Sequence, residues 1–152
     1  MNYQQALDWL YSTQTFGIKL GLDGPKQLLR QLLANPTRST KVIHLAGTNG
    51  KGSTSAIIDS LARATGLRCG LFTSPHLVDF RERMRVNGEM IPEQKVLETI
   101  LEIKEIVADW EHHPTFFELT LAIAMRHFKE MECELIILET GMGGRLDATT
   151  AV

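Results

Sequence analysis

The sequence has 152 residues, which is the usual size of one domain, and its 43% apolar residues can form a sizeable core. Its 16 basic and 18 acidic residues leave a net charge of −2, which gives no overall electrostatic reason to expect a nucleic acid or a membrane surface as a partner. No apolar run is long enough to span a bilayer, and two cysteines, Cys69 and Cys133, are too few for a disulfide framework and suit a reducing cytoplasm.

The first half of the chain has helical patterns around one strand. Apolar spacing predicts helices over 3–13 and 25–34, joined by the glycine-punctuated loop FGIKLGLDG. The second helix carries a leucine stripe, formed by Leu28, Leu29, Leu32 and Leu33. KVIHLAG (41–47) predicts a buried strand, and 53–66 predicts a helix that ends at Gly66. The apolar face of that helix holds Ile57, Ile58, Leu61 and Ala62.

The second half alternates in the same way. It predicts a buried strand over 67–74, a polar segment with a tight turn at Asn87-Gly88, helices from Pro92 to about Trp110 and over 115–131, and a buried strand over 133–144. Near-continuous apolar strands alternating with helices indicate an α/β fold, with a mostly parallel sheet flanked by helices on both faces.

The stretch HLAGTNGKGSTSA (44–56) places a glycine-rich loop between a predicted strand and a helix. Ligands bind at the carboxyl ends of strands in open parallel sheets, and a helix N-terminus presents N–H groups that favour phosphate. Glycines let the backbone approach the ligand, Lys51 can reach phosphate oxygens, and the Ser53 hydroxyl lies at the helix start. The sequence therefore predicts a phosphate-binding loop. The alternative is a glycine-rich turn with an exposed lysine.

The loop departs from the common pattern G-x-x-x-x-G-K-[ST]. Leu45 stands at the position of the first glycine, Gly52 replaces the hydroxyl residue, and Ser53 supplies the hydroxyl one place later. The absence of G-x-G-x-x-G disfavours a dinucleotide site, and the absence of N-K-x-D disfavours a guanine-nucleotide switch.

Two residues at strand ends are candidate metal ligands. Glu139 ends the apolar run LIILE, where a carboxylate can face the phosphates and bind Mg²⁺ directly or through water. Ser74 ends the run LRCGLFTS at the same predicted edge, where its hydroxyl can be another metal ligand or a capping group. For Glu139 the alternative is a charge turned to solvent.

Four segments together resemble the folylpolyglutamate synthase/dihydrofolate synthase family of the Mur ligase superfamily. They are GTNGKGS (47–53), TSPHL…RERMRVNG (73–88), TFFE (115–118) and ETGMGGRLDAT (139–149), and FGIKLGL (16–22) is similar to the family's N-terminal loop. The resemblance implies a P-loop NTPase-like domain of which 1–152 is the N-terminal part. A C-terminal glutamate-ligase domain is then expected outside this chain. Residues 1–152 would be inactive without it.

The implied activity is ATP-dependent ligation of L-glutamate to a folate or to dihydropteroate through an acyl phosphate, in a cytoplasmic monomer. By this resemblance Asn49, Gly50, Lys51, Gly52 and Ser53 bind ATP, with Lys51 catalytic, and Ser74 and Glu139 bind Mg²⁺. The acceptor pocket is implied to include Thr115, Phe116, Phe117, Glu118, Leu146, Asp147 and Ala148.

Several side chains keep two interpretations. Phe116 and Phe117 can offer an aromatic face to a flat pterin or pack in the core. Arg81, Arg83 and Arg85 can meet an anionic tail or phosphates, or lie on a solvated loop. The five histidines do not form a metal cluster by spacing; His44 is expected to be a satisfied buried residue, and His76 alone lies near the predicted site.

Three rival functions differ in what they explain. Another Mur-type amide ligase would share the loop but act on a different carboxylate. A non-catalytic nucleotide-binding module would bind ATP without turnover. A small-molecule kinase would leave TSPHL and GGRLDAT unexplained.

Overall fold

The computed structural model describes residues 1–17, 21–141 and 147–152. In these ranges the α-helices are α1 (Tyr3–Ser12), α2 (Asp23–Gln31), α3 (Lys51–Ala64), α4 (Glu93–Val107) and α5 (Phe116–Glu130). The strands are β1 (Lys41–Leu45), β2 (Cys69–Phe72), β3 (Met84–Val86), β4 (Glu89–Met90) and β5 (Leu135–Glu139). Short 3₁₀ helices cover 13–16, 80–83 and 148–151. No helix in these ranges is both long and apolar enough to cross a membrane.

The helices form where the apolar spacing predicts them, and local capping explains several of their ends. α1 begins with a reciprocal capping box in which Asn2 and Gln5 bond each other's backbone N–H groups. α4 begins directly after Pro92, whose fixed φ suits a helix start. α3 is followed by Gly66 at φ 84°, which confirms the predicted stop.

The five strands form one mixed sheet in the order β1-β5-β2-β3-β4. β5 pairs in parallel with β1 on one side and with β2 on the other, and Leu135 lies opposite both Lys41 and Cys69. β3 pairs antiparallel with β2, and β4 pairs antiparallel with β3. The predicted parallel arrangement is confirmed for β1, β5 and β2.

β3 and β4 form a hairpin in the segment for which the sequence predicts only a tight turn. Asn87 and Gly88 have φ values of 48° and 82°. Positive φ at both residues is what a two-residue hairpin turn needs to match the right-handed twist of its strands. The Asn87 side-chain oxygen also accepts a 2.8 Å hydrogen bond from the Cys69 backbone N–H, which ties the turn to β2. The predicted turn is confirmed, but the sequence did not predict the two short strands beside it.

Helices cover both faces of the sheet, as predicted. On one face α3 packs through Ala62 onto Cys69, Leu135 and Ile137, all buried. The other face carries the larger core, where Phe72 and Ile136 of the sheet meet side chains from α1, α2, α4 and α5. Cys69 and Cys133 are both free and buried.

Several predictions of burial are wrong. β1 is an edge strand with a neighbour on one side in the described chain, so Val42 is 40% exposed instead of buried. α3 contacts the sheet along a narrower stripe than its spacing predicts, and Ile57 and Leu61 are 60% and 64% exposed. The expected burial of His44 is likewise wrong, since that residue is exposed, although its ring has a hydrogen-bond partner.

The leucine stripe of α2 is shorter than predicted. Leu28, Leu29 and Leu32 are buried, but Leu33 is 68% exposed. α2 ends at Gln31, and Leu33 has a φ of 53°, so the chain leaves the helical path before Leu33 and turns its side chain away from the core.

Candidate functional site

The glycine loop lies at the carboxyl edge of the parallel strands, between the end of β1 at Leu45 and the start of α3 at Lys51. Gly47 and Gly50 have φ values of 145° and 77°, which L side chains rarely adopt. Gly50 precedes α3, and no side chain of the described chain caps the helix there. The first N–H groups of α3 have no intrahelical acceptor, which is the arrangement that binds phosphate at helix N-termini.

Lys51 and Glu139 face the same edge of the sheet. The half-buried Lys51 ammonium donates a 3.0 Å hydrogen bond to the carbonyl of Thr140, the residue after β5. Glu139 ends β5, and its Oε2 lies 3.9 Å from where a Cβ on Gly52 would stand. The basic side chain of the loop and the carboxylate of the neighbouring strand are therefore brought together, as the sequence predicts.

Glu139 is a buried carboxyl group in a basic neighbourhood. Burial raises its pKa above the ordinary value, and the Lys51 charge and a backbone hydrogen bond from Ser74 partly oppose that shift. A cation beside Glu139 would lower the same pKa, since the ionised form is disfavoured chiefly by desolvation.

Ser74 and Glu139 form a donor set that fits a hard divalent cation. Both offer oxygen, the element that Mg²⁺ prefers, and the Ser74 backbone bonds the Glu139 carboxyl. No group of three or more His, Cys, Asp and Glu side chains that could hold a metal occurs among residues 1–17, 21–141 and 147–152. A metal here would therefore complete its shell with phosphate oxygens and water, as Mg²⁺ commonly does beside nucleotides.

The segment TFFE starts α5 at the same edge, and two of its side chains are held by local hydrogen bonds. Thr115 N–H donates to Glu118 Oε2 at 2.9 Å, and Glu118 N–H donates to Thr115 Oγ1 at 3.3 Å. This capping box is buried and fixes the start of the helix. Thr115 and Glu118 thus have a structural role in the free chain, whatever they contact in a complex.

The two phenylalanines of TFFE divide between the two interpretations. Phe117 packs edge-on against Phe72, and its ring lies so close to Gly141 that a Cβ there would be 2.6 Å away. Phe116 instead joins an aromatic group, with its ring stacked on Tyr11 at a centroid distance of 5.6 Å and edge-on to Phe80. Core packing therefore describes Phe117, while Phe116 lies beside charged and polar side chains.

A cavity of about 310 Å³ opens next to Glu118. Its lining includes Gly21, Leu22, Trp110 and His113, so it lies between the loop before α2, the loop after α4 and the start of α5. Apolar and aromatic side chains with a few polar groups are typical of small-molecule sites. Trp110 and His113 gave no sequence signal beyond their place in a helix-ending segment.

Asp147 and Ala148, at the end of the chain, are both buried. The Asp147 carboxylate accepts hydrogen bonds from the Thr149 N–H at 3.0 Å and the Thr149 hydroxyl at 2.6 Å. The same hydroxyl lies 2.6 Å from His44 Nε2 on β1, which connects this segment to the strand before the glycine loop. Leu146, predicted with them, lies outside the described residues, as do residues 18–20 of the FGIKLGL segment.

The arginines of RERMR differ in their environment. Arg81 pairs with Asp79 at 2.8 Å. Arg83 is buried and donates from Nε to His76 Nδ1 at 2.7 Å, with its guanidinium carbon 5.2 Å from the centre of the Phe116 ring. The interpretation of these arginines as a solvated loop is therefore wrong for Arg83. His76 contacts Arg83 directly, whereas the sequence predicted only that His76 lies near the site.

The fold and the site define a class: a P-loop NTPase-like α/β domain of the Mur ligase type, in which a glycine loop follows a parallel strand and a carboxylate ends the neighbouring strand. No family model matches the sequence. Similar proteins are nevertheless found among curated sequences and solved structures.

The chain is 39% identical to dihydrofolate synthase/folylpolyglutamate synthase of Bacillus subtilis, over 99% of this chain and 36% of the relative. It is similar to E. coli FolC in complex with DHPP and ADP, with 35% identity and a TM-score of 0.87 over 97% of this chain and 36% of that one. It is also similar to a bifunctional folylpolyglutamate synthase/dihydrofolate synthase with Mn, AMPPNP and L-glutamate bound, with 34% identity and a TM-score of 0.86 over 97% and 36% of the two chains.

Over almost its whole length the chain is therefore similar to folylpolyglutamate synthases and dihydrofolate synthases, and the match is consistent with an N-terminal portion of these proteins. It spans about a third of the length of these three proteins. The resemblance found in the sequence motifs is confirmed.

Proposed function

We propose that this chain is the N-terminal part of an ATP-dependent ligase that joins L-glutamate to a folate or to dihydropteroate by an amide bond. The observation that carries the proposal is the meeting of the glycine loop, Lys51 and Glu139 at one edge of the sheet. The similarity to proteins solved with ADP, with AMPPNP and Mn, and with L-glutamate supports it.

The proposed reaction has two steps. A carboxylate oxygen of the acceptor attacks the γ-phosphorus of ATP, the bond from that phosphorus to the bridging oxygen breaks, and ADP leaves. The glutamate amino nitrogen then attacks the acyl carbon, the C–O bond to phosphate breaks, and the nitrogen loses a proton. Both steps place negative charge on phosphate oxygens, so fixed cations and N–H donors supply most of the catalysis.

The loop from Asn49 to Ser53 binds the ATP phosphates in this proposal. The N–H groups at the start of α3 point to the phosphates, and Gly52 leaves space beside Glu139. The Lys51 ammonium exchanges the Thr140 carbonyl for a phosphate oxygen, where its charge stabilises the transferred group.

Ser74 and Glu139 hold Mg²⁺, which neutralises phosphate charge when bound. Desolvation already disfavours the Glu139 charge in the free chain, so this carboxylate gains a partner when a cation binds. The presence of Mn in the similar ligase supports this assignment.

The acceptor lies on the α5 side of the edge. Thr115, Phe116, Phe117, Glu118, Leu146, Asp147 and Ala148 are the proposed lining. The cavity beside Glu118 supports this placement, because small molecules bind in concave sites lined by apolar side chains with a few polar groups.

We assign residues 1–152 to the N-terminal part of an ATP-binding domain, with a glutamate-ligase domain elsewhere in the polypeptide, and expect a cytoplasmic monomer acting on small molecules. The isolated 152-residue chain should then show no turnover. Light scattering on the natural polypeptide tests the monomer.

The decisive experiment measures ADP release by the natural polypeptide that contains this chain, with dihydropteroate and with tetrahydrofolate side by side. We expect release that requires both L-glutamate and one of these acceptors. ADP release with neither present, or none with any folate, would contradict the proposal. Release without glutamate would favour a kinase, and nucleotide binding without release would favour a non-catalytic module.

A further inference from the structure

Arg83 is a buried cation without an acidic partner among the described residues. Arg83 is 8% exposed, and burial lowers the pKa of its guanidinium. The Arg83 terminal nitrogens have no hydrogen-bond partner in the described chain. Burying an unpaired charge is costly, so the arrangement favours an anionic ligand that completes it.

Neutral and aromatic side chains hold the guanidinium in place. His76 Nδ1 accepts the Arg83 Nε–H at 2.7 Å, and His76 Nε2 lies 3.3 Å from the Tyr11 hydroxyl on α1. The Phe116 ring lies below the guanidinium, and Tyr11 stacks on the same ring with an interplanar angle of 20°. These contacts use Nε and one face of Arg83 and leave its terminal nitrogens open.

The group lies at the same edge of the sheet as the glycine loop. The Thr73 N–H donates to the Arg83 carbonyl at 2.9 Å, and the next residue is Ser74, whose backbone bonds Glu139. In the sheet order β5 separates β1 from β2, so Glu139 lies between the loop and Arg83. A molecule that reacts at the phosphates can therefore extend toward Arg83.

We propose that Tyr11 and His76 are positioning residues that hold the Arg83 guanidinium beside Ser74, where its terminal nitrogens bind a carboxylate of the acceptor. This inference rests on the proposed ligase function. A carboxylate fits best because its two oxygens match the planar fork of a guanidinium, whereas phosphates are bound by the loop and Lys51.

The test compares steady-state kinetics of the natural polypeptide with four variants: Tyr11→Phe, His76→Phe, His76→Gln and Arg83→Gln. We expect Arg83→Gln and His76→Phe to raise the KM of the acceptor roughly 10- to 100-fold, with the KM of ATP changed less than about twofold. His76→Gln should recover most of the loss, because its amide oxygen can accept from Arg83 Nε. Tyr11→Phe, which keeps the ring, should raise the acceptor KM about two- to fivefold.

Arg68→Gln is the matched control, because Arg68 is exposed and precedes β2 at the opposite end of the strand. It should leave both KM values unchanged. The inference is overturned if the variants leave the acceptor KM unchanged in an active enzyme, or if they lower kcat and raise both KM values together with a fall in Tm. A natural polypeptide that acts on no folate would overturn the proposed function itself.

Discussion

Replacing Lys51 with alanine removes the one lysine of the glycine loop and separates a catalytic role from a structural one. In the free chain the side chain makes one hydrogen bond, to the Thr140 carbonyl, and it is only half-buried. Losing such a bond lowers the free energy of unfolding by about 0.5–1.5 kcal/mol. In a chain of this size, each kcal/mol lowers Tm by about 2–4 °C. Losing one charged donor from a transferring phosphoryl group costs about 100- to 1,000-fold in turnover, or about 3–4 kcal/mol.

The assay is ADP release by the natural polypeptide, with Tm measured on the same preparations. Lys51→Met keeps most of the apolar stem and should lose as much turnover as the alanine variant. Lys129→Met, at an exposed position near the end of α5, should change neither quantity. A turnover loss that is no larger than the loss of folded protein would refute the phosphate role of Lys51.

Three further predictions concern the same chain. Because burial raises the Glu139 pKa, the folded state binds the carboxyl proton more tightly than the unfolded state does. The folded protein therefore loses stability as pH rises through the folded-state pKa and this carboxyl ionises. Glu139→Gln should therefore raise the Tm of the free protein at pH 8 more than at pH 4.5 and weaken stabilisation by Mg-ATP; a lower Tm at pH 8 would contradict this. Gly70→Ala should cost about 1–3 kcal/mol in chemical denaturation, because its Cβ would lie 2.7 Å from the Phe128 ring; an unchanged midpoint would show that the ring moves freely. Burial raises the pKa of Cys69 to about 12 and of Cys133 to about 11, so iodoacetamide should label neither at pH 8 until denaturant is added, as counted by mass spectrometry; rapid labelling of folded protein would disprove this.

The candidate site could be predicted in part because its motifs are local in the chain. Gly47 and Gly50 need backbone freedom within a few residues of each other, and the strand before them and the helix after them are both visible as apolar patterns. The pairing of Arg83 with His76 could not be predicted in the same way. The hydrogen bond from Arg83 to His76 depends on how the 3₁₀ turn at 80–83 folds back on the segment after β2. Because the other arginines of the same motif have the same side chain, the sequence does not show which of them reaches His76.

The amino-acid order by itself determined the helices, the parallel strands, the loop between β1 and α3 and the turn at Asn87, because capping, periodicity and left-handed backbone positions act over a few residues. Tertiary structure alone decided which apolar faces are covered. Ile57 and Leu61 have the spacing of core residues, yet they stay exposed because no other described element packs on that side of α3. It also decided that Glu139 lies beside Gly52, since only the strand order β1-β5-β2 places residues about 90 positions apart at one edge.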